Sequence, residues 1–367
     1  MNLARLRSVL SRTPGATQTG PIGFDLGHDK LHALQLEREE ETLGVRAAAC
    51  VSLPAGCRSD ARTGLRPLVA RTLKDRGFEG RRIVAAMPAD DLKLMVLNYE
   101  LSRQQTEPEL IISRVEERIQ EPVDGWVVDY LAIRKNPDEK GEHSALVAMA
   151  REDAVIQHLE LLRSAGLEVE ALEIGPVAVR RLITWLDNVL VINCGQEKSY
   201  LMVLWGQRLI LYREIDFGEQ QVIERVSKSL DMGSESAASL LYEFGVFPEA
   251  DPPADAGANA REIRQTLMEI LKSSFNTVAE HVANALVYTA SRTRGESVDS
   301  VYLLGPMARW PGADSLLGAL VSIPVQILDP LAGLESIRDG LGLSDMKCSL
   351  GFTLAAGLAL RGMESRG

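Results

Sequence analysis

One pattern occurs twice in this chain, about 168 residues apart, and it restricts the possible folds more than any other feature. The first copy is Phe24-Asp25-Leu26-Gly27-His28-Asp29-Lys30, entered through Ile22-Gly23. The second is Ile192-Asn193-Cys194-Gly195-Gln196-Glu197-Lys198, entered through Val189-Leu190-Val191. Each copy is a strand end, a carboxylate or its amide isostere, an apolar residue, a glycine, a polar residue, an acid and a lysine. Strand-like sequence follows both: Leu31 to Leu36 after the first, and Ser199 to Leu204 then Gln207 to Arg213 after the second. Apolar strands flanking a glycine-containing turn read as hairpins. Two hairpins opening the two halves of the chain predict two related lobes.

The 367 residues are too many for one compact core, which agrees with two lobes of ordinary size. Between the hairpins, helical and strand patterns alternate, as in an α/β protein. Thr63 to Arg76 and Arg151 to Ala165 have amphipathic helical spacing, whereas Arg82 to Met87 and Leu167 to Glu173 read as strands. Pro176 to Leu186 reads as a helix leading into the second hairpin. Leu92 to Ala150 holds strand-like Leu92 to Tyr99, helical Glu107 to Ile119, and strand-like Trp126 to Arg134 and Leu146 to Ala150. This stretch reads as a small subdomain set into the first lobe. The Pro- and acid-rich Pro248 to Ala258 is a surface loop, and Arg261 to Arg292 a long helix. Ser300 to Leu304 is a buried strand, and the small apolar residues of Leu350 to Arg361 form a core helix. The expected division is a tail at 1–20, a first lobe at 21–187 with its insert at about 92–173, a second lobe at 188–361 and a tail at 362–367.

A formal net charge of -11 argues against nucleic acid as a partner. Cys50, Cys57, Cys194 and Cys348 form no CxxC pair, so they read as reduced thiols rather than zinc ligands. No apolar run reaches the roughly 18 to 20 residues that cross a bilayer, so a cytoplasmic protein is expected. The N-terminal segment has no apolar region after its arginines and does not read as a secretory signal. As a helix it would gather Leu3, Leu6, Val9 and Leu10 on one side. So short a segment reads as a frayed end more than as a membrane-surface helix.

With these residues in view, the chain resembles the actin-like superfamily of actin, Hsp70 chaperones and sugar kinases, a two-lobed, ribonuclease H-like α/β fold. Within it, the sequence from about Pro21 to Arg361 is most similar to the PilM family of type IV pilus assembly. Gly23-Phe24-Asp25-Leu26-Gly27 matches the family's first phosphate loop and Val189 to Gly195 its second. Tyr212 to Gly218, followed by helices at Gln220 to Leu230 and Ser234 to Phe244, matches the next segment, and Tyr302-Leu303-Leu304-Gly305 the adenosine loop. The insert at Leu92 to Ala150 matches in position a subdomain that PilM shares with the division protein FtsA. The resemblance implies a nucleotide pocket at Asp25, Gly27, Lys30, Asn193, Gly195, Gly218 and Gly305, with Asp25 holding magnesium through water if Mg-ATP is retained. It implies a cytoplasmic scaffold, peripheral to the inner membrane, that binds the cytoplasmic N-terminal tail of a PilN-like bitopic membrane protein. A groove between the first lobe and its insert would receive that tail. The resemblance leaves room for contact with the assembly ATPase machinery and for a homodimer.

This sequence departs from the family pattern where nucleotide would be gripped. Hydroxyls expected after Gly27 are His28 and Asp29, and the second strand ends in the neutral Asn193. The Ala-Glu pair and lysine expected on the second helix, facing the ribose, are Ala237-Ala238 and Leu241. The Gly-Gly of the adenosine loop is Gly305-Pro306, where proline removes a donor. Three lost charge-assisted hydrogen bonds at roughly 1.5 kcal/mol each weaken binding by about three decades. The expected cofactor is therefore none, or weakly bound Mg-ATP, and no hydrolysis is expected. The runner-up is an ATP-binding actin-like protein of cell division or a type II secretion platform. Asn193 and Ala238 speak against a working ATPase. The polar ending Gly362 to Gly367 differs from the amphipathic helix that usually ends FtsA, and a secretion component would need a transmembrane segment. His28 and His32 flank a predicted turn and do not read as a metal pair. Arg81-Arg82 and Arg180-Arg181 read as solvated surface, and Trp126, Trp185, Trp205 and Trp310 as core or interface residues.

Overall fold

The structure is a computed structural model that describes residues 18–364, apart from 28–29, 41, 55, 58–63, 102–104, 134–142, 184–186, 207, 248–257, 333 and 335–348. The expectations for the N-terminal segment, His28, Asp29, Trp185, Cys348 and nearly all of the Pro-rich loop lie outside the described residues. The chain divides into two compact units, Met1–Trp185 with Pro330–Gly367, and Leu186–Asp329.

Unit 1 is built on a five-stranded sheet. Strands β1 (Gln18–Leu26), β2 (Lys30–Glu39) and β3 (Thr42–Ser52) run antiparallel, and β4 (Arg82–Ala86) and β8 (Glu168–Glu173) continue in parallel, in the order β3-β2-β1-β4-β8. Side chains alternate across the sheet. Ile22, Phe24 and Leu26 of β1 share one core with Leu65, Val69 and Leu73 at α1 (Arg66–Asp75) and with Leu162 of α3 (Glu152–Ser164). On the other face Val84 packs with Ala178 of α4 (Gly175–Leu182) and Leu358 of α9 (Thr353–Met363). The parallel strand β4 is thus covered on both sides, as its continuous apolar run requires.

Two polar devices fix this sheet. Pro21 interrupts β1, and the register against β2 shifts between Thr19 and Ile22. Gln35, 1% exposed, fills the gap: its Nε2 donates to the carbonyls of Gly20 (2.9 Å) and Glu79 (2.8 Å), and its Oε1 accepts the Glu79 N–H (2.8 Å). A one-residue slip would turn every β1 side chain to the opposite face, so this staple protects the placement of Asp25. At the far edge the buried carboxylate of Glu173 pairs with Arg181 of α4 and, at 2.9 Å, with Arg361 of α9. Arg181 also reaches Glu364 at 2.9 Å.

The inserted subdomain is a three-stranded antiparallel sheet, β5 (Leu92–Tyr99), β7 (His143–Arg151) and β6 (Trp126–Ile133), ordered β5-β7-β6. Helix α2 (Glu107–Ile119) begins with a Thr106–Glu109 capping box, which satisfies orphan amides at its first turn. It buries Leu110, Ile111 and Val115 against Leu97, Tyr99, Val147 and Met149. The insert ends sooner than the expected 173, because β8 pairs with β4 and belongs to the main sheet.

Unit 2 repeats the plan. Strands β9 (Val189–Asn193), β10 (Ser199–Trp205) and β11 (Arg208–Ile215) are antiparallel, and β12 (Ser300–Leu304) and β13 (Val325–Ile327) follow in parallel, giving β11-β10-β9-β12-β13. Strand for strand this is the order of unit 1. Helices α5 (Glu219–Ser229), α6 (Ser234–Phe244), α7 (Ala258–Arg292) and α8 (Ala313–Val321) complete it. Leu267, Leu271, Phe275, Val278 and Val282 make the buried stripe of α7 at helical spacing.

The sequence reading places 188–361 in the second lobe. The structure instead returns Pro330–Gly367 to unit 1, because α9 lies along β1, β2, β4 and α4. Strand β1 also begins at Gln18, inside the segment expected as a tail.

Candidate functional site

The seven residues named from the sequence lie in two groups, one in each unit. In unit 1, Asp25 is the penultimate residue of β1, and the Gly27 N–H donates to the Lys30 carbonyl at 2.9 Å, closing the hairpin. Asp25 is directly opposite His32 of β2, and His32 is opposite Cys50 of β3, so the three side chains share one face. His32 Nδ1 lies 3.7 Å from Asp25 Oδ2. The imidazole also hydrogen-bonds Cys50, and its edge meets the Phe352 ring at 5.6 Å. Burial alone would lower the His32 pKa. The hydrogen bonds and negative charge of Asp25, helped by Cys50, outweigh it and raise the pKa to about 9. At neutral pH the Asp25 carboxylate therefore faces an imidazolium within its own sheet. Cys50 is exposed, whereas Cys57 and Cys194 are buried.

In unit 2 the turn after β9 is packed against two glycines. Gly305 has φ +85°, a conformation other residues rarely adopt, and a Cβ there would overlap the Cys194 carbonyl. A Cβ on Gly218 would overlap the backbone at Gln196 and Glu197. Asn193 stands between Gly195 and Gly305, its Oδ1 3.2 Å from where a Gly305 Cβ would lie. The first amides of α5 are used within the protein: Glu219 N–H donates to the Gly195 carbonyl (3.0 Å) and Gln220 N–H to the Gln196 carbonyl (2.9 Å). Cys194 is a core thiol, pushed up to about 12 by burial and by the Glu219 charge against a lowering hydrogen bond with Ser199.

The structure adds three residues absent from the sequence expectation. Glu219, first in α5 and 6% exposed, accepts a 2.6 Å hydrogen bond from the Tyr242 hydroxyl of α6. Arg309, just beyond Gly305, donates to the same hydroxyl oxygen at 2.7 Å and lies 5.0 Å from the Tyr242 ring centre. Burial raises the Tyr242 pKa, with the Glu219 charge adding to it and Arg309 opposing, so the phenol stays protonated. The one sequence signal for this group was a carboxylate directly after Gly218, at the junction of strand and helix.

Among the described residues no cluster of His, Cys, Asp and Glu is built to hold a metal ion, and no helix is long and apolar enough to cross a membrane. The Leu92 to Ala150 insert offers a different kind of surface. On the sheet face turned away from α2, Val96 and Val127 are 38% and 45% exposed, and β5 and β6 are the two edge strands.

Two units with the same strand order, each opening on a hairpin and the first carrying an inserted subdomain, define an actin-like protein. The family model of the type IV pilus assembly protein PilM matches residues 23–363, and the chain belongs to that family. Its fold is similar to that of a solved PilM-PilN type IV pilus biogenesis complex, with a TM-score of 0.75 and 19% identity over 94% of this chain and 99% of that one. It is also similar to the ethanolamine utilization protein EutJ from Carboxydothermus hydrogenoformans, with a TM-score of 0.53 and 14% identity over 97% and 93% of the two chains.

Proposed function

We propose that this chain is a scaffold of type IV pilus assembly that binds the cytoplasmic N-terminal tail of a PilN-like bitopic inner-membrane protein and does so without nucleotide. The observation that carries this reading is the similarity, across nearly its whole length, to a member of its own family solved as a PilM-PilN complex. Peripheral attachment to the inner membrane through that partner follows.

The insert supplies chemistry suited to an extended peptide. An edge strand offers unpaired backbone groups to a further strand, and exposed valines offer apolar contact for alternate side chains. Val96 and Val127 combine these features on one sheet face.

Nucleotide independence rests on residues that do not fit Mg-ATP. The Asp25 carboxylate would have to give up His32 to hold a hydrated cation, and Asn193 offers no charge. The first amides of α5 already serve the turn carbonyls. Fluorescence anisotropy with a labelled tail peptide of a candidate bitopic partner tests the proposal, with and without Mg-ATP. Binding is expected in both conditions, at least about tenfold weaker in Val127→Asp. Absence of tail binding would refute the scaffold role. Binding that appears only with Mg-ATP, or a low-micromolar ATP constant by titration calorimetry, would refute nucleotide independence.

A further inference from the structure

We infer that unit 2 carries its own occupant: Glu219, Tyr242 and Arg309 fill the place that the family resemblance assigns to the nucleoside, and Glu219 is the residue that keeps a nucleotide out. This deepens the nucleotide-independent reading above and rests on it. That reading rests on contacts that Asp25, Asn193 and the first α5 amides do not offer a nucleotide, whereas here a connected set of side chains stands in its way. The three residues come from three separate elements that the resemblance places around the nucleoside. Glu219 follows Gly218 at the head of α5, Tyr242 follows Leu241 on α6, and Arg309 stands beyond the Gly305-Pro306 loop. They form one chain of hydrogen bonds, Arg309 to the Tyr242 oxygen and the Tyr242 hydroxyl to Glu219, at 2.7 and 2.6 Å.

Each partner has a reason to stay. A carboxylate in the first turn of a helix is favoured by the helix dipole. The Tyr242 hydroxyl gives it a short hydrogen bond, and Arg309 balances its charge through the phenol while lying against the ring. The negative charge that a nucleotide's phosphates would bring is already present in Glu219, buried and paid for by its neighbours. A second anion entering beside it would meet repulsion in a poorly screened site. The three elements are tied to one another by these side chains, with no ligand needed to bridge them.

The test compares wild type with Glu219→Gln and Glu219→Gly, titrated with a fluorescent ATP analogue and with Mg-ATP. Glutamine keeps an acceptor for Tyr242 but removes the charge, so this variant reports even if the glycine variant is unstable. Wild type is expected not to saturate below the millimolar range. Glu219→Gln should bind at least about tenfold tighter, and a folded Glu219→Gly tighter again, with tail-peptide affinity unchanged in all three. If folded variants bind nucleotide no better than wild type, Glu219 is not the obstacle, and the inference fails while nucleotide independence stands. If wild type itself binds at low micromolar concentration, both fail.

Discussion

The pairing of His32 with Asp25 predicts a specific dependence of stability on pH. The imidazole has an ordinary pKa of 6.5 in the unfolded chain and one of about 9 in the fold. Because the folded value is the higher, the native state binds the proton more tightly. The stabilisation is complete below about pH 6.5 and is lost as pH rises through 9. At about 1.36 kcal/mol for each unit of pKa difference, the loss amounts to about 3 kcal/mol. Urea denaturation of unit 1, followed at several values between pH 6 and 10, should show this decline in wild type and a much flatter curve in His32→Gln. Nuclear magnetic resonance of labelled histidine would read the pKa directly. It should fall back to about 6.5 or lower in Asp25→Asn, where burial outweighs the attraction that remains. Parallel stability curves for wild type and His32→Gln, or a His32 titration near 6.5 in wild type, would refute the account of this site.

Two further substitutions test the frame that positions it. Gln35→Leu keeps the volume but strands the buried Gly20 carbonyl and both Glu79 backbone groups. Since Glu79 is exposed and can turn to water, the cost should be about 2–3 kcal/mol, read as a lowered urea midpoint with an unchanged slope. Glu173→Ala leaves Arg181 and Arg361 facing one another without their shared anion and should cost about 3 kcal/mol. Measured by the same method, it should be partly rescued by Glu173→Gln, which still accepts hydrogen bonds.

The parts of this fold that were legible from the sequence are those written into local pattern. The carboxylate–apolar–glycine motif at Asp25 to Gly27 and its echo at Asn193 to Gly195 announced two hairpins, and the two sheets indeed share one strand order. The insert was legible because α2 and its strands have strong, distinct periods. Strand β3 was not read, because Ala47, Ala48 and Ala49 have little intrinsic strand preference and are held extended by β2 beside them. The return of α9 to unit 1 was hidden for a related reason. Ala355, Ala356, Leu358 and Ala359 declare a buried helix but not which sheet buries it. At the candidate site, Asp25 was visible as a strand-end acid, but its partner was not, since cross-strand register decides that His32 faces it. Glu219 was not singled out at all, because its partner Tyr242 is 23 residues on and Arg309 a further 67.

The return of α9 also governs the order in which the protein can be made. Unit 2 is one uninterrupted stretch, whereas unit 1 is interrupted by it and finished only by Pro330–Gly367. During synthesis the later-encoded unit can close first, while the face of β1 and β4 that α9 will cover waits bare for the last helix to emerge. Nascent chains stalled before Thr353 should therefore show a protease-resistant unit 2 beside a cleavable unit 1, and would be the form on which chaperones act.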